Sequence, residues 1–294
     1  MFAKWKADRL FHRLLKRPDI SQAYKMVGPE DSWYDTITTV HNALAQIRQL
    51  PHQQLEITSR DGLKLQALYY PGESKKTMIW IHGYTSHAER ESAFPGLFYH
   101  SLGFHVLIPY LRAHGPSEGK YISFGPLECE DLQQWVQTIN RMHPDGEILI
   151  HGLSMGGGIA LDLATVDMDC VKGIVVDAPS YAIENFLSGA AKYTFKRDYA
   201  QVYPHLYRRF EKEFGVDPFR FDRIANIENG RYPLLLTAGS FEKMEEVLHE
   251  IACRNPKEAS VLILPGCNHG NGMYKQTQMY QSAIRKFVDE NFER

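Results

Sequence analysis

EILIHGLSMGGGIA, residues 147–160, is the stretch on which the reading of this chain turns. Ile148, Leu149 and Ile150 make a short apolar run with His151. Gly152-Leu153-Ser154-Met155-Gly156 follows, and Gly157 and Gly158 lead into apolar residues at helical spacing. This predicts a strand, a sharp turn and a helix, with Ser154 at the apex. A serine on so tight a turn occupies a strained backbone region. A Cβ two residues away on either side would collide, so Gly152 and Gly156 are both required. The turn presents a hydroxyl at a helix N-terminus, where backbone N–H groups and the helix dipole favour negative charge. The plainer reading is a glycine-rich turn ahead of a packed helix. The rest of the chain decides between them, because a nucleophilic serine here needs an acid and a histidine further on.

The chain has 294 residues, 44% hydrophobic and 23% charged, which suits one large globular domain with room for an inserted subdomain. A net charge of −2 gives no global attraction to nucleic acid. Cys129, Cys170, Cys253 and Cys267 are scattered without a C-x-x-C pair, as in a cytoplasmic protein with reduced thiols. No H-E-x-x-H or similar cluster appears among the 13 histidines, so no metal is expected. No run of 18 apolar residues occurs, so no membrane-spanning helix is expected.

The alternation of apolar and polar residues over 54–70, around Asp61-Gly62, predicts a β-hairpin. Met78 to Ile81 is a short buried strand ending at His82-Gly83-Tyr84, and a helix is predicted over about 89–102. His105 to Pro109 is the next strand. Leu127 to Met142 is helical, with Leu132, Trp135, Val136 and Ile139 on one face. Gly173 to Val176, Leu234 to Leu236 and Val261 to Leu264 are further buried strands, and Met273 to Phe292 reads as one closing helix. Short apolar strands alternating with helices predict an α/β fold with a doubly wound, mostly parallel sheet.

Two regions stand outside this alternation. Residues 1–53 read as an N-terminal helical extension before the main domain at 54–294. Its first part, 1–17, is basic, with Leu10, Phe11, Leu14 and Leu15 at helical spacing, and Pro18 is expected to end it. The favoured reading packs this helix on the domain with a solvated basic face. The alternative lays it on an anionic membrane surface. Its second part, 19–50, is predicted helical through Ile37, Val40, Leu44 and Ile47, with no role beyond packing. The other region, 181–230, shows no strand and holds 11 aromatics in 50 residues, against 12% in the chain as a whole. It is expected to be a helical cap insertion whose aromatics either line an apolar pocket or form the insertion's own core.

These motifs together resemble the α/β-hydrolase superfamily over residues 55–290, closest to its esterase, lysophospholipase and serine-aminopeptidase-like branch. Ile81-His82-Gly83 is similar to the family's H-G loop. Arg112-Ala113-His114-Gly115-Pro116-Ser117 resembles its R-G-H-G-x-S loop, with Ala113 in place of glycine. Gly152-Leu153-Ser154-Met155-Gly156 resembles its nucleophile elbow, and Asn268-His269-Gly270 its catalytic-histidine loop.

The resemblance implies Ser154 as nucleophile and His269 as base, with Glu242 in Gly239-Ser240-Phe241-Glu242 where the family usually has aspartate. Asp177, at the end of its strand, is the alternative acid. The family pattern further places backbone N–H groups of Tyr84 and Met155 in an oxyanion hole, with His82, Gly83, Gly152 and Gly156 in support. No cofactor is implied, and the expected partner is a small-molecule ester with a small or medium apolar acyl group. A peptidase, a thioesterase or a membrane-surface lipid hydrolase would use the same three groups. A ligand-binding protein of this fold without turnover would show a broken triad.

Overall fold

A computed structural model describes residues 2–19 and 30–293. Its centre is one eight-stranded sheet: β1 (Gln53–Thr58), β2 (Lys64–Tyr70), β3 (Lys76–Ile81), β4 (His105–Pro109), β5 (Glu147–Leu153), β6 (Val171–Asp177), β7 (Leu234–Gly239) and β8 (Ala259–Leu264). The order across the sheet is β1-β2-β4-β3-β5-β6-β7-β8. β2 is antiparallel to β1 and β4, and every other pairing is parallel. The hairpin and all the strands predicted from apolar runs are present. The helices are α1 (Phe2–Leu15), α2 (Ile37–Ile47), α3 (Ala88–Ser101), α4 (Pro126–Met142), α5 (Met155–Leu163), α6 (Ile183–Phe195), α7 (Tyr199–Phe214), α8 (Arg223–Asn226), α9 (Glu245–Arg254), α10 (Gly272–Lys275) and α11 (Thr277–Asn291).

The strands are apolar run after run because both faces of the sheet are covered. Ile79, Ile81, Ile148, Ile150, Ile174, Val176, Leu234 and Leu236 point into the core shared with α1, α4, α5 and the helices between β6 and β7. Met78, Trp80, Leu149, Val175 and Leu235 point the other way, into the core shared with α2, α3 and α11. Leu132, Trp135, Val136 and Ile139 form the buried face of α4, as their spacing predicts.

α1 packs on α7, with Ala7, Leu10, Phe11 and Leu15 buried in the same core as Leu206, Phe210 and Phe214. Leu10, Phe11 and Leu15 of the apolar stripe in 1–17 are therefore inside the protein, while Leu14 is half-buried and Phe2 and Trp5 at the tip stay exposed. The helix ends at Leu15, ahead of Pro18, because the next residues pair with a loop: Arg17 N–H donates to Lys120 O and Ile122 N–H to Leu15 O. Of the helical stretch expected at 19–50, residues 20–29 lie outside the described residues. Beyond them a 3-10 turn, Tyr34–Thr36, precedes α2, which buries Val40, Ala43, Leu44 and Ile47. The closing helix expected at 273–292 is two pieces, α10 and α11. Gln276 leaves the helical region, and its side chain donates to Pro265 O just after β8, which ties the break to the loop that follows that strand.

Candidate active site

The turn after β5 has the strain its sequence predicts. Ser154 sits at φ 59°, ψ −114°, a conformation L-residues avoid. A Cβ on Gly152 would lie 2.2 Å from Gly156 O, and one on Gly156 would lie 2.0 Å from Ile81 O. Both glycines are thus required by close backbone approach. Ser154 N–H donates to Asp177 O (2.8 Å), and Ser154 O accepts from Gly158 and Ser180 N–H (3.0 and 2.9 Å), which pins the turn between β6 and α5.

His269 lies on the loop after β8, where Gly266 and Gly270 both take positive φ. Asn271 holds this loop: its Oδ1 accepts from Asn268 N–H and its Nδ2 donates to Ser32 O. His269 Nε2 is 2.9 Å from Ser154 Oγ, and His269 Nδ1 is 2.5 Å from Glu242 Oε2. The partners set the tautomer: Nδ1–H donates to the carboxylate and Nε2 accepts from the serine hydroxyl. The Glu242 bond raises the His269 pKa above its ordinary value, against the opposing effect of burial.

Of the two acids, the structure brings Glu242 to the histidine. Glu242 ends a 3-10 turn after β7, with Oε1 accepting from Gly239 N–H (2.8 Å), so the longer side chain folds back and leaves Oε2 for the ring. Asp177 is not joined to His269. It is buried beneath the turn, accepts from Tyr280 OH (3.0 Å), and burial pushes its carboxyl up to about 6.

Gly83 and Tyr84 follow β3 beside Ser154. Gly83 N–H is taken by the Glu91 carboxylate, whereas Met155, at the first position of α5, has an N–H with no intrahelical acceptor. His82 and His114 face each other, with ring centroids 4.6 Å apart. His82 Nδ1 donates to Gly83 O and its Nε2 accepts from Leu111 N–H; His114 Nδ1 meets Arg112 O. Burial keeps both rings neutral, lowering His82 well below the ordinary value and His114 to about 4.

A cavity of about 430 Å³ opens over Ser154 and His269. Its apolar wall includes Trp33, Ile37, Val40, Leu153 and Tyr274, and Asp31, Ser86, His87, Arg90 and Glu91 are among its polar lining. This corrects one expectation and decides another that was left open. The 31–40 segment, assigned nothing beyond packing, forms a wall of the site. The aromatics of 181–230 do not line this cavity. Phe186 stacks on Phe124 (4.1 Å) and meets Tyr84 edge-on, while Phe210 and Phe214 pack with Phe11. Trp33 and Glu91 carry no local signal of a role, because what brings them to Ser154 is the fold. Among the described residues no group of three or more His, Cys, Asp or Glu is placed to hold a metal ion, and no helix is long and apolar enough to cross a membrane.

The family model for serine aminopeptidase, S33, matches residues 72–244. The uncharacterized protein YqkD of Bacillus subtilis is 33% identical over 257 residues, covering 85% of this chain and 83% of that protein. The monoglyceride lipase of Mus musculus is 28% identical over 137 residues, 45% of each chain. Among solved structures, the Pyrococcus furiosus esterase Pf2001 has the same fold, with a TM-score of 0.68 at 22% identity over 95% of this chain and 99% of that one.

Proposed function

We propose, from the premise that this chain belongs to the serine aminopeptidase S33 family of α/β-hydrolases and is a hydrolase, that it cleaves carboxylic esters of small to medium apolar acyl groups through an acyl-enzyme on Ser154. The observation that carries the reading is the hydrogen-bonded line from Ser154 Oγ through His269 to Glu242, with links of 2.9 and 2.5 Å. Ser154 Oγ attacks the acyl carbonyl while His269 Nε2 takes its proton. Glu242 holds the tautomer and stabilises the imidazolium. The oxyanion forms against the N–H groups of Tyr84 and Met155, each worth about 3 kcal/mol in the transition state. Collapse breaks the ester C–O bond, and His269 returns the proton to the leaving alcohol. Water then cleaves the acyl-enzyme by the same route in reverse.

Support for an ester comes from the apolar wall of the cavity and from the similarity to a monoglyceride lipase, whereas the family's name points to peptides. An intact Glu242–His269 contact speaks against a silent ligand-binding role. Initial rates on p-nitrophenyl esters from acetate to octanoate, on aminoacyl p-nitroanilides and on acyl-CoA thioesters test the reading. Hydrolysis led by the short and medium esters and absent in Ser154→Ala is expected. Faster turnover of anilides or thioesters than of every ester would overturn the substrate class.

A further inference from the structure

Gly83 is held on both of the peptide planes that meet at its Cα. Gly83 O accepts from His82 Nδ1 (2.9 Å) and from Ser86 N–H (3.3 Å). In a trans peptide plane the carbonyl and the next N–H point in opposite directions, so anchoring Gly83 O on His82 also aims Tyr84 N–H. On the preceding His82–Gly83 plane, Gly83 N–H donates to Glu91, 3.0 Å from Oε1 and 3.2 Å from Oε2. Glu91 lies in the first turn of α3, and Oε1 also accepts from the Trp80 indole at 3.1 Å. The Ser86 hydroxyl bonds the same carboxyl. A Cβ on Gly83 would be 3.2 Å from Glu91 Oε2 and 3.6 Å from Ser154 Cβ. A single layer of backbone therefore separates this carboxyl from the nucleophile.

We propose that Glu91 is a positioning residue for the acyl transfer, fixing the His82–Gly83 peptide from behind while His82 fixes the next one, so that Tyr84 N–H faces the developing oxyanion. The proposal rests on the reading of Ser154 as the nucleophile. Glu91 touches no reacting atom and acts through Gly83. Desolvation pushes its carboxyl up to about 7, yet protonated or not it keeps an oxygen for Gly83 N–H. Removing that acceptor would leave two enclosed donors, Gly83 N–H and the Trp80 indole N–H, without a partner. The loop would then turn to satisfy them.

The test compares kcat and KM on p-nitrophenyl butyrate for the wild-type protein, Glu91→Leu and Glu91→Gln, with circular dichroism and melting temperature as folding controls. Glu91→Leu keeps the bulk and removes the acceptor. It is expected to lower kcat about 10²-fold with KM within about twofold, the signature of a lost transition-state interaction. Glu91→Gln keeps an acceptor oxygen and is expected within about threefold of wild type. Wild-type kcat in Glu91→Leu, a loss confined to KM, or equal losses in both variants would overturn the proposal. If Glu91→Leu does not fold, Glu91→Asp decides, since its carboxyl is one methylene short of Gly83. A lowered kcat at unchanged KM supports the role, and wild-type kcat overturns it. Ser154→Ala, run alongside, separates the two claims. If it is inactive while Glu91→Leu is fully active, only the Glu91 proposal falls; if it retains turnover, the nucleophile reading falls first.

Discussion

Glu242 stands where the family pattern has aspartate, and its extra methylene is absorbed locally. The 3-10 turn Ser240–Glu242 lets Oε1 return to Gly239 N–H while Oε2 reaches His269. The spacing from Gly239 marked this residue in the sequence. The sequence left Asp177 open because a carboxylate at a strand end looks the same whether it faces a histidine or, as here, a buried tyrosine. The Glu242 bond has a consequence for pH. It favours the imidazolium and raises His269, and only the neutral ring can take the proton of Ser154. Activity is therefore expected to fall as pH drops through that raised value. Glu242→Gln removes the charge that raises it, so the acid limb of kcat/KM against pH should move to lower pH. The plateau should fall by about 10²- to 10⁴-fold. An acid limb that stays in place or moves upward contradicts this account of His269.

At the scale of elements, the fold was legible wherever burial is complete and local. Runs such as Met78 to Ile81 and Gly173 to Val176 are apolar without alternation because the sheet is covered on both faces, and each appears as a strand. The closing helix was less legible. Its break at Gln276 depends on a side-chain bond to Pro265, which no periodicity reveals. α1 shows the same limit in another form. Its amphipathic pattern fits a protein surface and, less well, a membrane surface, and only the fold brings α7 beneath it. Phe11, fully buried there, meets Tyr121 and Phe214 at 5.2 and 6.0 Å between ring centroids. Phe11→Ala is expected to destabilise the protein by about 3–5 kcal/mol, read from chemical denaturation. A change below about 1 kcal/mol would mean that α1 does not pack as described. Because Tyr84 OH donates to Leu14 O, α1 also touches the loop beside Ser154.

For the whole molecule, the Ser154–His269–Glu242 line could be read from motifs because each motif is a short stretch with its own backbone demand. The cavity could not, because its walls come from segments far apart in the chain. Trp33 meets Tyr274 at 5.6 Å between ring centroids, and Ile37 stands beside them in the lining. Of the two roles open to the aromatics of 181–230, the buried rings take packing, against Phe124, Tyr84 and α1, while Tyr193 and Phe219 stay exposed. Specificity for acyl length should accordingly reside in the N-terminal segment. Ile37→Trp is expected to lower kcat/KM for p-nitrophenyl octanoate about tenfold while leaving the acetate within about twofold, since one or two methylenes of lost pocket are worth about 1–3 kcal/mol. Equal effects on both esters would place the acyl group elsewhere. The central claim, that Ser154 is an activated nucleophile served by His269, is tested most directly by intact-mass analysis after treatment with a fluorophosphonate. The account predicts one covalent adduct, mapped to Ser154 and absent in both Ser154→Ala and His269→Ala. Folded wild-type protein that remains unlabelled at Ser154 would contradict it.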